Sequence, residues 1–282
     1  MRPNFLASVL LFAFIFSYPS YVCPGNFELA EETGAGIINW THRTLEAKGR
    51  GVSGPEAANT PEGWQAAVRN ARRQAYVNLL ETFRQLRLSG HQLVGQLFCD
   101  DDKTLAKIEQ LLKSAQICDT VYHSDGTVEV VRKISFSGAL SQLILPASIV
   151  QLEMKNLGRT KTDPGDRPFT GLVVDASSTG VVPAMCFEIV DESGRSVYGS
   201  AYVSREFVVQ NGMCGYVNDF SAVEPMGRAG NNPLVVRALG TSKGSLTDIV
   251  ISNTDASRLR SRADNLFFLR QCRVIVVCDP FK

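Results

Sequence analysis

An excess of charge of either sign is what this chain most clearly lacks. Lysine and arginine total 29 against 28 aspartate and glutamate, a formal net charge of +1. Such a chain has no global basic field with which to hold nucleic acid, and a near-neutral surface favours association with other proteins. Histidine is scarce, with three residues, His42, His91 and His123. None falls in a His-x-x-x-His pattern, which argues against a zinc hydrolase. No Cys-x-x-Cys pair exists, which argues against a zinc ribbon or a thioredoxin-type centre. Gly34-Ala35-Gly36 lacks the following helix that would cradle a phosphate, and no Lys-Ser/Thr follows the glycines between Gly171 and Gly180.

What is present begins at the N-terminus. Arg2 precedes an uncharged apolar run from Phe5 to Tyr18. A positive start and a run of this length read as a secretory signal over residues 1–25, or as an uncleaved N-terminal anchor; a membrane span needs about 20 apolar residues. The expected location is the periplasm, with outer-membrane association as the alternative. Val22 before Cys23 is bulkier than the small residue of a lipoprotein cleavage site, so the reading is a cleaved signal without an acyl chain. Apolar content of 44% and charged content of 20% fit a globular chain with a real core.

The seven cysteines are Cys23, Cys99, Cys118, Cys186, Cys214, Cys272 and Cys278. In an oxidising compartment Cys99 with Cys118 and Cys186 with Cys214 are the candidate disulfides; the alternative is buried free thiols behaving as small hydrophobes. Cys272 and Cys278 on one strand would lie about 20 Å apart, too far to bond.

Two α+β halves are expected. Ile37 to Gly51 reads as one strand ending where Gly49 and Gly51 permit a turn. Thr60 is placed to cap a helix from Pro61 to about Leu88, whose Trp64, Ala67, Ala71, Ala75, Leu79, Phe83 and Leu86 form one apolar stripe. A second helix follows Asp100-Asp101-Asp102, since acids suit a helix N-terminus. Asp119 to His123 and Thr127 to Phe136 flank Asp125-Gly126 as a hairpin with a bulge. Gly158 to Pro168 reads as the boundary between a domain over 35–157 and a second over 168–282. Beyond it come strands at Phe169–Ala176, Pro233–Leu239 and Asp248–Ile251. A second hairpin turns around Asp191–Arg195, and Asn211–Asn218 reads as a loop. A helix capped by Thr254-Asp255 runs to about Leu266, and a buried strand spans Cys272 to Cys278. The fold class is α+β: two small mixed domains, helix-on-sheet, with antiparallel hairpins.

Each chemical candidate has a plain structural explanation. Arg69, Arg72, Arg73 and Arg84 form an anion-binding ridge or, more simply, a solvated helix face. The triple acid at 100–102 lacks calcium-loop spacing and reads as capping. Cys214, between Gly212-Met213 and Gly215, has the look of a nucleophile, but glycines beside a cysteine equally mark a tight loop. Asp175, Asp191 and Asp248 sit at strand ends, where acids of carbohydrate enzymes occur and where turn-forming aspartates occur more often. No catalytic residue, cofactor site or metal site is assigned.

Ala-Lys-Gly-Arg-Gly at 47–51, the Ala-Arg-Arg-Gln-Ala-Tyr segment at 71–76 and the Asp125-Gly126 hairpin together resemble a bacterial envelope family. It is the small outer-membrane lipoprotein family that includes the N-terminal region of the flagellar assembly protein T. Residues 170–216 look like the companion domain of secreted proteins of that group. The resemblance implies a non-catalytic envelope or flagellum-associated role and carries over no active-site residue. The expected function is therefore structural or assembly work through protein–protein binding, with envelope or flagellar proteins as partners. The alternatives are a hydrolase of envelope polymers and a periplasmic small-ligand-binding protein.

Overall fold

The computed structural model describes residues 27–54, 60–97, 101–150 and 168–281. The signal segment with Cys23, Cys99 and Asp100, and the expected boundary from Gly158 to residue 167, lie outside the described residues. Among the described residues no helix is long and apolar enough to cross a membrane.

The first half runs β1 (Ala30–Glu32), β2 (Ile37–Asn39), β3 (Thr44–Val52), α1 (Pro61–Gln85), β4 (Arg87–Ser89), β5 (Gln92–Leu93), α2 (Asp102–Lys113), β6 (Gln116–Tyr122), β7 (Thr127–Ser135) and α3 (Ala139–Ile144). Its main sheet has the order β1-β2-β3-β7-β6 and is antiparallel throughout. The expected single strand from Ile37 to Gly51 is instead two strands. Asn39 Oδ1 accepts from the His42 amide at 2.8 Å, and Arg43 takes a left-handed φ of 56°. That Asx turn folds β2 back onto β3.

Gly49 and Gly51 do not end a strand. They lie inside β3, facing α1. A Cβ on Gly49 would stand 2.1 Å from the Ala75 amide nitrogen, and one on Gly51 would stand 2.1 Å from the Ala67 carbonyl oxygen. The Ala67, Ala71 and Ala75 stripe at four-residue spacing supplies the matching small surface. Strand and helix backbones thus touch, with Val128 and Val130 of β7 closing the cluster. Further along α1, Leu79 and Phe83 pass into the main core with Ile38 and Leu45.

Thr60 caps α1 as its sequence position indicates, its Oγ1 accepting from the Gly63 amide at 3.0 Å. The helix stops at Gln85 rather than Leu88, because Arg87–Ser89 pairs with β5. Asp101 caps α2 by accepting from the Thr104 amide at 3.1 Å. The Asp125-Gly126 hairpin is present, with its bulge in β6 between Ile117 and Asp119.

The second half runs β8 (Gly171–Asp175), β9 (Ile189–Asp191), β10 (Ser196–Tyr198), α4 (Arg205–Asn211), β11 (Gly215–Val217), α5 (Val223–Met226), β12 (Pro233–Thr241), β13 (Ile249–Ile251), α6 (Asn253–Arg260), α7 (Ala263–Arg270) and β14 (Val274–Val277). The sheet order is β10-β9-β13-β12-β8-β14-β11, with parallel and antiparallel pairs. The run expected as a loop at 211–218 contains β11, parallel to β14. The run expected as one helix is two, α6 and α7, and Ser252 rather than Thr254 caps the first, accepting from the Asp255 amide at 3.0 Å. Cys272 lies outside β14 with a left-handed φ of 57°. The fold is α+β.

One buried cluster runs through both halves. Trp40, in the β2–β3 turn, packs edge-on to Phe136 at 5.8 Å and to Tyr216 of β11 at 6.0 Å. Hydrogen bonds cross as well: the Cys186 amide donates to the Leu88 carbonyl at 2.7 Å, and Thr41 Oγ1 donates to the Tyr216 carbonyl at 2.8 Å.

Candidate functional site

The turn that carries Arg43 faces a cavity of about 580 Å³. Thr41 and Arg43 form one wall. Phe207 and Asn211 of α4, Gly215 of β11, the segment Met226–Arg228 after α5, and Gln271–Arg273 before β14 form the rest. Three arginines line it and no aspartate or glutamate does. None of the three forms an ion pair with a described residue.

Arg43 crosses between the halves. Its guanidinium donates to the Gln210 carbonyl at 3.2 Å and to Ser141 Oγ at 3.4 Å, and lies 5.5 Å over the Phe136 ring. Gly212 makes room for it. A Cβ there would stand 2.8 Å from the Arg43 guanidinium carbon, and the φ of +71° at Gly212 is one that side-chain-bearing residues rarely adopt. Arg228 is held more tightly: Nε donates to the Cys272 carbonyl at 2.7 Å, Nη1 to Asn211 at 2.6 Å and Nη2 to Gly212 at 2.6 Å. Arg273 is exposed at the rim.

Two physical consequences follow. Burial, and then the nearby Arg228 charge, bring Arg43 down from 12.5 to about 10, so it is cationic at neutral pH but held at a cost. The ends of α4 and α7 also meet here, and helix C-terminal carbonyls carry partial negative charge. The arginines satisfy several of those carbonyls, which is a structural role. A buried polar atom is left over: Gln271 Oε1 has no hydrogen-bond partner. Of the three non-glycine residues with positive φ among the described residues, Arg43 and Cys272 both line this cavity. Backbone strain of this kind collects at functional sites.

The residues singled out from sequence do not meet. His42 lies in the β2–β3 turn and His123 in the β6–β7 turn, near Glu28 at 3.0 Å and Glu129 at 3.7 Å respectively. His91 lies in the β4–β5 turn. Asp175 ends β8, two strands from β13 across β12, and accepts from the Ser177 amide and hydroxyl. Asp248 precedes β13 and accepts from the Glu188 amide at 2.8 Å. Asp191 is buried and fully committed: Arg260 donates to it at 2.8 Å and Arg195 at 3.0 Å, with the Ser193 and Arg195 amides on its other oxygen.

Cys214 is buried, and burial pushes its thiol up to about 12, the reverse of what an attacking thiolate needs. Cys186 and Cys214, paired as a candidate disulfide from sequence, are both free and buried, and Cys118 is free and exposed. Arg69, Arg72, Arg73 and Arg84 are exposed along α1. Among the described residues no group of three or more His, Cys, Asp or Glu is placed to hold a metal ion. Sequence reasoning missed Arg43 and Arg228. Neither lies in a motif, and only the fold brings them together.

A family model described as Treponema pallidum Tp0624, second domain, matches residues 171–280. The match spans β8 through β14 and includes every cleft-lining residue except Thr41 and Arg43. No curated protein matches the chain.

Proposed function

We propose that this is a non-catalytic, exported cell-envelope protein that acts by protein–protein binding in a structural or assembly role. The arginine-lined cleft would receive an acidic group of the partner. One observation carries the reading: Arg43, Arg228 and Arg273 face a single cavity whose lining holds no carboxylate. Guanidinium groups left without anionic partners in a concave site attract an anion from outside. The resemblance of residues 37–145 to envelope and flagellar assembly proteins supports the same class of partner. A volume of about 580 Å³ also suits a small ligand, which makes a small anionic ligand the second reading.

In-cell crosslinking of the tagged protein, with identification of what is captured, tests this. The expected result is recovery of envelope or flagellar structural proteins, reduced by Arg273→Glu. Recovery of nothing specific from a protein confirmed in the periplasm would contradict it.

A further inference from the structure

The character of the anion can be argued from what surrounds the guanidinium groups. Arg228 is caged by the Cys272, Asn211 and Gly212 carbonyls at 2.6–2.7 Å, so it is a fixed charge rather than a mobile one. Arg43 makes two longer hydrogen bonds, at 3.2 and 3.4 Å, and has donors uncommitted. Arg273 is exposed at the rim, where it can swing onto a ligand. The opposing partial charges are those of the α4 and α7 C-terminal ends, about half an elementary charge each. Against the two inner guanidinium groups this leaves a surplus of about one positive charge, and Arg273 adds another at the cleft.

Helix C-termini and carbonyl oxygens face the cavity rather than the helix N-termini that commonly cradle phosphate, so the guanidinium groups supply the donors. The unpartnered Gln271 Oε1 adds one more acceptor on that wall. Phe207 and Met226 offer apolar wall for an aliphatic stem. Guanidinium forks match a planar carboxylate in paired hydrogen bonds.

We infer that the cleft is a carboxylate receptor for a peptide, with Arg228 as a fixed positioning charge and Arg43 and Arg273 as the contacting groups. The inference rests on the reading of the cleft as a partner-binding site. Either an acidic side chain or a chain terminus can supply the carboxylate, and the two are separable by experiment.

Fluorescence anisotropy with labelled hexapeptides on the purified exported chain provides the test. One peptide carries Gly-Ala-Ala-Ala-Ala-Glu with an amidated end, one carries six small residues with a free terminal carboxylate, one is amidated and uncharged, and one carries phosphoserine in place of the glutamate. At least one carboxylate peptide is expected to bind more tightly than the uncharged and phosphoserine peptides, and which one binds identifies the source. Arg273→Ala is expected to weaken that binding about tenfold, the loss of one charge-assisted hydrogen bond. The Arg273 side chain is exposed and forms no hydrogen bond or ion pair with a described residue, so this variant separates binding from folding. Tighter binding of the phosphoserine peptide, equal binding of all four, or no binding of any would overturn the inference. If none binds while crosslinking still captures an envelope protein, the carboxylate assignment fails and the partner-binding reading stands. If neither yields a partner, both fail.

Discussion

Arg43 and Arg228 reach one cavity from different halves of the chain, and Arg228 helps to lower Arg43 to about 10. Two cations held together without a carboxylate are stable only because neutral acceptors hold each of them. The Phe136 ring and the Gln210 carbonyl hold Arg43, and three carbonyls hold Arg228.

Arg228→Ala should therefore destabilise the fold, since each carbonyl left unsatisfied costs about 1–3 kcal/mol. Arg273→Ala should leave stability within about 0.5 kcal/mol, as surface substitutions do. Urea unfolding of both variants checks this. Equal loss in the two would mean that the Arg228 carbonyl cage contributes little.

Gly49→Ala places a methyl group 2.1 Å from the Ala75 amide nitrogen. Overpacking a contact of this kind costs about 1–3 kcal/mol or more. Gly34→Ala is the matched control, because nothing lies within 4 Å of a Cβ there. Thermal denaturation should show a large drop for the first and little change for the second.

Asp191 gives an acid-dependent stability. Burial alone would raise its carboxyl, but the Arg260 hydrogen bond, the Arg195 and Ser193 amides and the Arg195 charge outweigh it. They hold the group at about 2, below its ordinary 3.8. A carboxylate depressed in the fold stabilises above its unfolded value and loses that contribution as pH falls through its folded one. The contribution should be complete above about pH 4 and vanish toward pH 2. In denaturant titrations across this range, Asp191→Asn should be less stable near neutrality and should lose less on acidification. An unchanged acid profile would rule out this role.

Among the described cysteines, native alkylation at pH 8 should modify Cys118, which is exposed, and spare Cys186, Cys214, Cys272 and Cys278 until the chain unfolds. Burial pushes these thiols up, to about 12 for Cys186 and Cys214 and about 11 for Cys272, so thiolate is scarce as well as shielded. Mass mapping of the alkylated sites decides it.

Much of the fold was legible because it rests on local rules. The Thr60-Pro61 start, the alanine stripe and the Asp125-Gly126 turn each fix geometry within a few residues. Gly49 and Gly51 were misread as a turn because the reason for a glycine can lie on another element. Here the reason is the α1 backbone, and the alanines opposite were the available signal. β11 was missed because three residues beside Gly212 and Gly215 carry too little pattern, and β14 supplies its order. The cleft was not legible at all. Arg43 and Arg228 are 185 positions apart in sequence, and neither carries a local mark. The strand-end acids were visible from the start, but the sheet order keeps them apart.

The most direct test of the central claim is a photoreactive residue at Asn211, exposed on the cleft lining, activated in the cell of origin. Adducts with an envelope protein are expected, joined through a segment bearing a carboxylate and lost in the Arg43→Gln, Arg273→Ala double variant. Adducts that persist unchanged in a folded double variant, or an absence of specific adducts, would contradict it.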